Sequence, residues 1–198
     1  MSLLISGVAA NCGRFPVRAR EFERELSSLS FWSESEIAQC TRYLRGAGLL
    51  PIGGRGLNAP DIEPKHAALI LIGLAATRRA ADVDKAVEIY GSMPPVGEAF
   101  AGAATFAEAL ASILASWRSF RKTVRITAVV ICSSWPEAAV RFSMQGEAVE
   151  RSILYGDPGT EHPGPRMRSD VTFSPATLSM LALKFKSPEE DKAEATNG

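Results

Sequence analysis

Between Ala67 and Ala76 the chain runs ten residues with no charge and no hydrogen-bonding side chain. Pro64, just upstream, suits the first position of a helix, where its missing amide costs nothing. The spacing predicts a helix from Pro64 to about Thr77 that is apolar on nearly every face beyond His66, so it must be covered on all sides. A bilayer crossing needs about 20 apolar residues, so this helix belongs inside a bundle of other elements or at a subunit interface. The 198 residues favour one domain or two small ones and leave room for such a core.

The neighbouring segments offer the cover. Ala81 to Gly91, with Val83, Val87 and Tyr90, reads as a helix, and Pro94-Pro95 breaks the chain after it. Phe106, Leu110, Ile113, Leu114 and Trp117 define a strong amphipathic helix ending near Arg118. A basic cluster, Arg118, Arg121 and Lys122, precedes Val124 to Cys132, whose β-branched run predicts a strand buried on both faces. Ala139 to Met144 alternates through Val140, Phe142 and Met144, and Val149 to Tyr155 reads as a third strand. Gly156 to Asp170 reads as a Gly/Pro loop. Ser174 caps a last helix, Pro175 to Lys186, with Leu178, Leu181 and Phe185 inward. Ser187 to Gly198 has almost nothing to bury and is expected to be a disordered tail.

The first sixty residues differ in charge. They hold seven Arg, no Lys and five Glu, and from Thr41 to Pro60 the only charges are Arg42, Arg45 and Arg55. Phe22, Leu26 and Leu29 recur at helical spacing, predicting a helix from about Val17 to Leu29. After a break at Ser30-Phe31-Trp32, Ser33-Glu34-Ser35-Glu36 matches a capping box, with Trp32 and Ile37 placed for the hydrophobic staple. The second helix is expected to stop at Ala47-Gly48. Its inward stripe is Ile37, Cys40, Leu44 and Ala47. At about 100° per residue, Ser35, Gln39, Arg42 and Arg45 fall on the opposite side. Gly53-Gly54-Arg55-Gly56-Leu57-Asn58-Ala59-Pro60 then reads as a tight turn or hairpin tip, because Gly and Asn reach positive φ cheaply.

Enzymatic chemistry finds no foothold in these residues. The chain carries no phosphate-loop, nucleophile-elbow or zinc-protease motif. Gly53-Gly54-Arg55-Gly56 follows no clear strand and lacks dinucleotide-fold spacing. Cys12, Cys40 and Cys132 lie far apart, which excludes a zinc ribbon and fits a reducing compartment. Cys40 falls on an inward stripe and reads as a small hydrophobe. His66 reads as a partly buried or capping histidine, and His162, with Glu161 and Asp157, as part of a solvated loop. Neither a catalytic role nor a cofactor or metal is expected. Lys plus Arg equal Asp plus Glu at 22 each, so any attraction to a polyanion must be local. The N-terminus has no basic region followed by an apolar one, and a cytoplasmic location is expected.

Two short helices, an Arg-bearing polar face on the second, and a Gly/Arg turn after it resemble a winged helix-turn-helix over roughly residues 15 to 60. The resemblance implies that the second helix enters the major groove of duplex DNA and that the turn, as a wing, contacts backbone or minor groove. Ser35, Gln39, Arg42 and Arg45 would then form the reading face, and Gly54, Arg55 and Asn58 the wing. Gln pairs bidentately with adenine and Arg with guanine, and Arg suits such planar contacts better than Lys. The expected fold is α+β and mainly helical. It comprises an N-terminal winged helix-turn-helix (1–60), a central helical, oligomerising region (61–122), a small C-terminal β segment with a terminal helix (123–186) and the tail (187–198). This layout is similar to that of bacteriophage small terminase subunits, which form rings and recognise viral DNA for packaging. It implies an oligomeric, sequence-specific DNA-binding protein. A prophage or bacterial transcriptional regulator, and a protein-interaction module without a nucleic-acid role, are the alternative readings.

Overall fold

The computed structural model describes residues 17–53, 61–156 and 168–185. Within them the chain is α+β: six α-helices, a two-stranded ribbon and a four-stranded antiparallel sheet. The helices are α1 (Ala19–Leu29), α2 (Glu34–Gly46), α3 (Pro64–Ala76), α4 (Val83–Gly91), α5 (Phe106–Phe120) and α6 (Pro175–Leu183). The ribbon pairs β1 (Val17–Arg18) with β2 (Asp61–Ile62), and the sheet contains β3 (Val124–Cys132), β4 (Glu137–Met144), β5 (Glu150–Gly156) and β6 (Asp170–Phe173) in the order β5-β4-β3-β6.

Helix α3 lies at the centre, with Ile70 to Ala76 all buried. Its apolar circumference is accounted for inside a single chain, by packing against α2, α4, α5 and β3. Of the two settings the sequence allows, bundle interior or subunit interface, the first is the one occupied. Gly73 permits the closest approach: a Cβ there would stand 2.9 Å from Val83 Cγ1 and 3.2 Å from Cys40 Sγ. One continuous cluster of buried side chains joins the three sequence zones, from Phe22 and Leu44 through Leu71 and Ile113 to Val129, Tyr155 and Leu181.

The sheet turns one face to this core. Val124, Ile126, Val129 and Ile131 of β3 and Val140 and Phe142 of β4 join the helical cluster, while Ala128, Val130 and Ala139 form a small cluster of their own. An irregularity in register between Ile126 and Ala128 shifts the alternation along β3. The Tyr90 hydroxyl of α4 lies 2.6 Å from the Cys132 carbonyl and 2.9 Å from that of Trp135, tying the helices to the end of β3. Along the outer side of β5, Pro95 bridges to Tyr155, Val96 N–H donates to the Leu154 carbonyl, and Gly156 N–H donates to the Pro94 carbonyl.

Four local readings change. Helix α1 begins at Ala19 rather than Val17, because Val17 and Arg18 pair with Ile62 and Asp61 instead. Ala47 is not part of the inward stripe of α2; it is the exposed C-cap, and Thr41 is buried in addition to Ile37, Cys40 and Leu44. Asp170 does not end a loop but opens β6, which registers against Val129 to Cys132. The last helix ends at Leu183, though Leu178, Leu181 and Phe185 are buried as expected. The tail and most of the 156–170 loop, including His162, Glu161 and Asp157, lie outside the described residues.

Candidate functional site

Helix α2 starts where the sequence places it. The Ser33 hydroxyl accepts from the Glu36 amide at 3.3 Å, and Glu36 Oε2 accepts from the Ser33 amide at 2.8 Å. The Ser33 hydroxyl and amide together hold the Glu36 carboxyl below the usual carboxylate range. Trp32 and Ile37 are both buried, consistent with the staple. The helix ends in a Schellman arrangement. Leu49 N–H donates to the Leu44 carbonyl, Gly48 N–H donates to that of Arg45, and Gly48 takes φ +74°, a conformation that favours glycine.

Between these caps, the faces of α2 differ. Ile37, Cys40 and Leu44 point into the core. Burial pushes the Cys40 thiol up to about 12, with the nearby Glu23 carboxylate adding to the effect, so it is an inert packing group as its position predicts. Ser35, Gln39 and Arg42 are exposed on the opposite side. Neither Gln39 nor Arg42 makes a hydrogen bond or ion pair among the described residues, while the Ser35 hydroxyl lies 3.0 Å from that of Ser33.

Arg45 is placed differently. It sits on the flank facing α1, half-buried, with Nη2 3.3 Å from Glu23 Oε1. The Thr41 hydroxyl donates to the same oxygen at 2.9 Å. The sequence leaves open a pairing of Arg42 with Glu21, Glu23 or Glu25; the packing of α1 on α2 pairs Glu23 with Arg45 instead. Two other acids of α1, Glu21 and Glu25, face Lys184, at 3.9 Å and 2.8 Å. Arg45 therefore does not belong with the unpaired residues on the outer face of α2, because its charge is matched within the fold. Gly54, Arg55 and Asn58 lie outside the described residues. β2, which follows them, pairs with β1 and brings Asp61 and Ile62 beside the residues that enter α1.

The other flank of α2 opens onto a cleft of about 400 Å³ between α2, the end of α3 and the start of α4. Phe31 stands at its mouth, 75% exposed, its ring centroid 4.5 Å from that of Trp32. Glu36, Gln39, Thr77 and Arg78 contribute polar groups, and Leu74 and Val83 the apolar wall.

The chain matches no family model, no curated protein and no solved structure.

Among the described residues, no group of three or more His, Cys, Asp or Glu is disposed to hold a metal ion, and no helix is long and apolar enough to cross a membrane. His66 is part of a cap: its Nδ1 accepts from the Glu63 amide at 3.2 Å at the start of α3. Burial, and then the Lys65 charge, lowers its pKa below the usual histidine value, while Glu63 opposes the shift, so it is kept as the neutral acceptor.

Proposed function

We propose that the chain is a sequence-specific duplex-DNA-binding protein that reads the major groove with α2. The observation that carries the reading is the contrast on one helix: Arg45 is bonded to Glu23, whereas Gln39 and Arg42 are exposed with no partner among the described residues. A guanidinium and a carboxamide on one helical face match the edges of guanine and adenine. Arg45 then orients α2 on α1 rather than reading a base. Gly54, Arg55 and Asn58 remain the proposed wing, contacting phosphate or minor groove.

Selection of bound sequences from a random duplex pool tests this directly. Arg42→Ala should weaken binding to the selected site by about 1–3 kcal/mol and relax preference at one base pair. Equal affinity of parent and variant across a salt titration would overturn the assignment and favour a protein-interaction module. Mass measurement on the same sample separates the two DNA-binding roles. A ring of many subunits favours a packaging subunit similar to small terminases, and a dimer favours a transcriptional regulator. Because α3 is covered within its own chain, either assembly would have to use another surface.

A further inference from the structure

The cleft beside α2 has the chemistry of a ligand site. Its volume, about 400 Å³, lies in the range of small-molecule pockets. One wall is apolar, built from Leu74 and Val83, and the rim carries the Phe31–Trp32 ring pair. Phe31 leaves three-quarters of its surface in water, an unusual place for a phenyl ring that has a concave apolar surface beside it. The polar lining includes a cation without an internal partner. Arg78 is an exposed guanidinium with no partner among the described residues, and Gln39 is likewise unpaired. The acid on the rim, Glu36, stays ionised, with its Oε2 bonded to the amide and the hydroxyl of Ser33, and it makes no ion pair with Arg78. A flat apolar body carrying a carboxylate would cover the apolar wall and give Arg78 the partner it lacks.

We propose that this cleft binds a small aromatic carboxylate, with its ring against Phe31 and Trp32, its carboxylate on Arg78, and a second polar contact to Gln39. Binding of the ligand does not depend on what α2 recognises. Its consequence does, and that part rests on the DNA-binding reading: Gln39 belongs both to the cleft and to the reading face, so an occupied cleft competes with DNA for one side chain.

The test uses the full chain, 2-naphthoate as the probe and its uncharged counterpart 2-naphthamide, followed by the NMR signals of the Trp32 indole N–H and the Gln39 side-chain amide. Saturable shifts of both signals with 2-naphthoate are expected, with 2-naphthamide about tenfold weaker or worse, as loss of a charge-assisted pair requires. Arg78→Ala should bring the two probes to similar affinity. Arg78 is exposed and makes no internal bond among the described residues, so the variant should keep the parent's circular dichroism and melting temperature. Absence of saturable shifts up to the solubility limit, or equal binding of acid and amide by the parent, overturns the ligand site without touching the DNA reading. In a second arm, 2-naphthoate should weaken binding of a selected duplex by the parent but not by Arg78→Ala. Saturation of the cleft with unchanged duplex affinity overturns the competition.

Discussion

Helices α2 and α3 are both thirteen residues long, begin with a reciprocal contact between the residue before the helix and its third residue, and lie against each other, the Cys40 thiol of one near the Ile70 carbonyl of the other. They differ in what surrounds them. α3 is enclosed by α2, α4, α5 and β3, so almost every one of its side chains answers to packing. α2 has one face in the core, one flank fastened to α1 through Glu23, one flank on an open cleft and one face in water. Side chains free for contacts outside the fold are those with none inside it, and on α2, among the described residues, these include Gln39 and Arg42. The same comparison explains why an Arg can be prominent in the sequence and still be structural: Arg42 and Arg45 are three residues apart, and only one of them has an acid from α1 within reach.

The sharpest way to break this contrast is to truncate one side chain on each helix. Leu71→Ala, at a fully buried position of α3, should cost about 2–5 kcal/mol in denaturant unfolding, whereas Arg42→Ala should change stability by no more than about 0.5 kcal/mol. Comparable losses would mean that α2 has an internal partner for Arg42 after all. A smaller effect separates the two flanks of α2. Glu23→Ala leaves the Arg45 guanidinium and the Thr41 hydroxyl without their common acceptor and should destabilise by about 1–3 kcal/mol. Glu23→Gln, which keeps an acceptor oxygen, should recover part of that loss. If Glu23→Ala is neutral, the fastening is not what holds α2 on α1.

The smallest effect concerns the two helix starts. The folded-state pKa of His66 is depressed, so the unfolded chain binds the proton more readily. Stability is therefore fully present above the unfolded value of about 6.5 and declines as pH falls through the lower folded value. His66→Ala should remove that part of the pH dependence, read as the difference between the two proteins' melting temperatures from neutral to mildly acidic pH. A parallel decline in both proteins would assign the acid sensitivity elsewhere.

Much of this architecture can be read from residue spacing. The long amphipathic stripe of α5, the all-apolar α3 and the Ser33–Glu36 box are local signals, each sufficient to place a helix. β1, β2 and β6 are not local: two strands of two residues and one of four have too few side chains for a period, and they exist because a partner strand lies beside them. The same division applies to the candidate site. Ser35, Gln39 and Arg42 follow from helical angle alone, since each lies far from the direction of Ile37 and Leu44. Arg45 lies only about a quarter-turn from that direction, on the boundary where tertiary packing decides, and Glu23 decides it. Phe31 and Arg78 come from different elements, and only the fold brings them to one cleft.

The short run of chain that carries Pro94 and Pro95 along the outermost strand has a bearing on how the protein behaves when concentrated. Proline offers no amide proton, so another molecule sliding in beside that rim would meet a side with little left to donate. Runaway stacking of sheets from one molecule to the next, the ordinary start of fibrous aggregates, is blunted at that end of β5 by two residues whose place in the sequence looks like mere punctuation between helices.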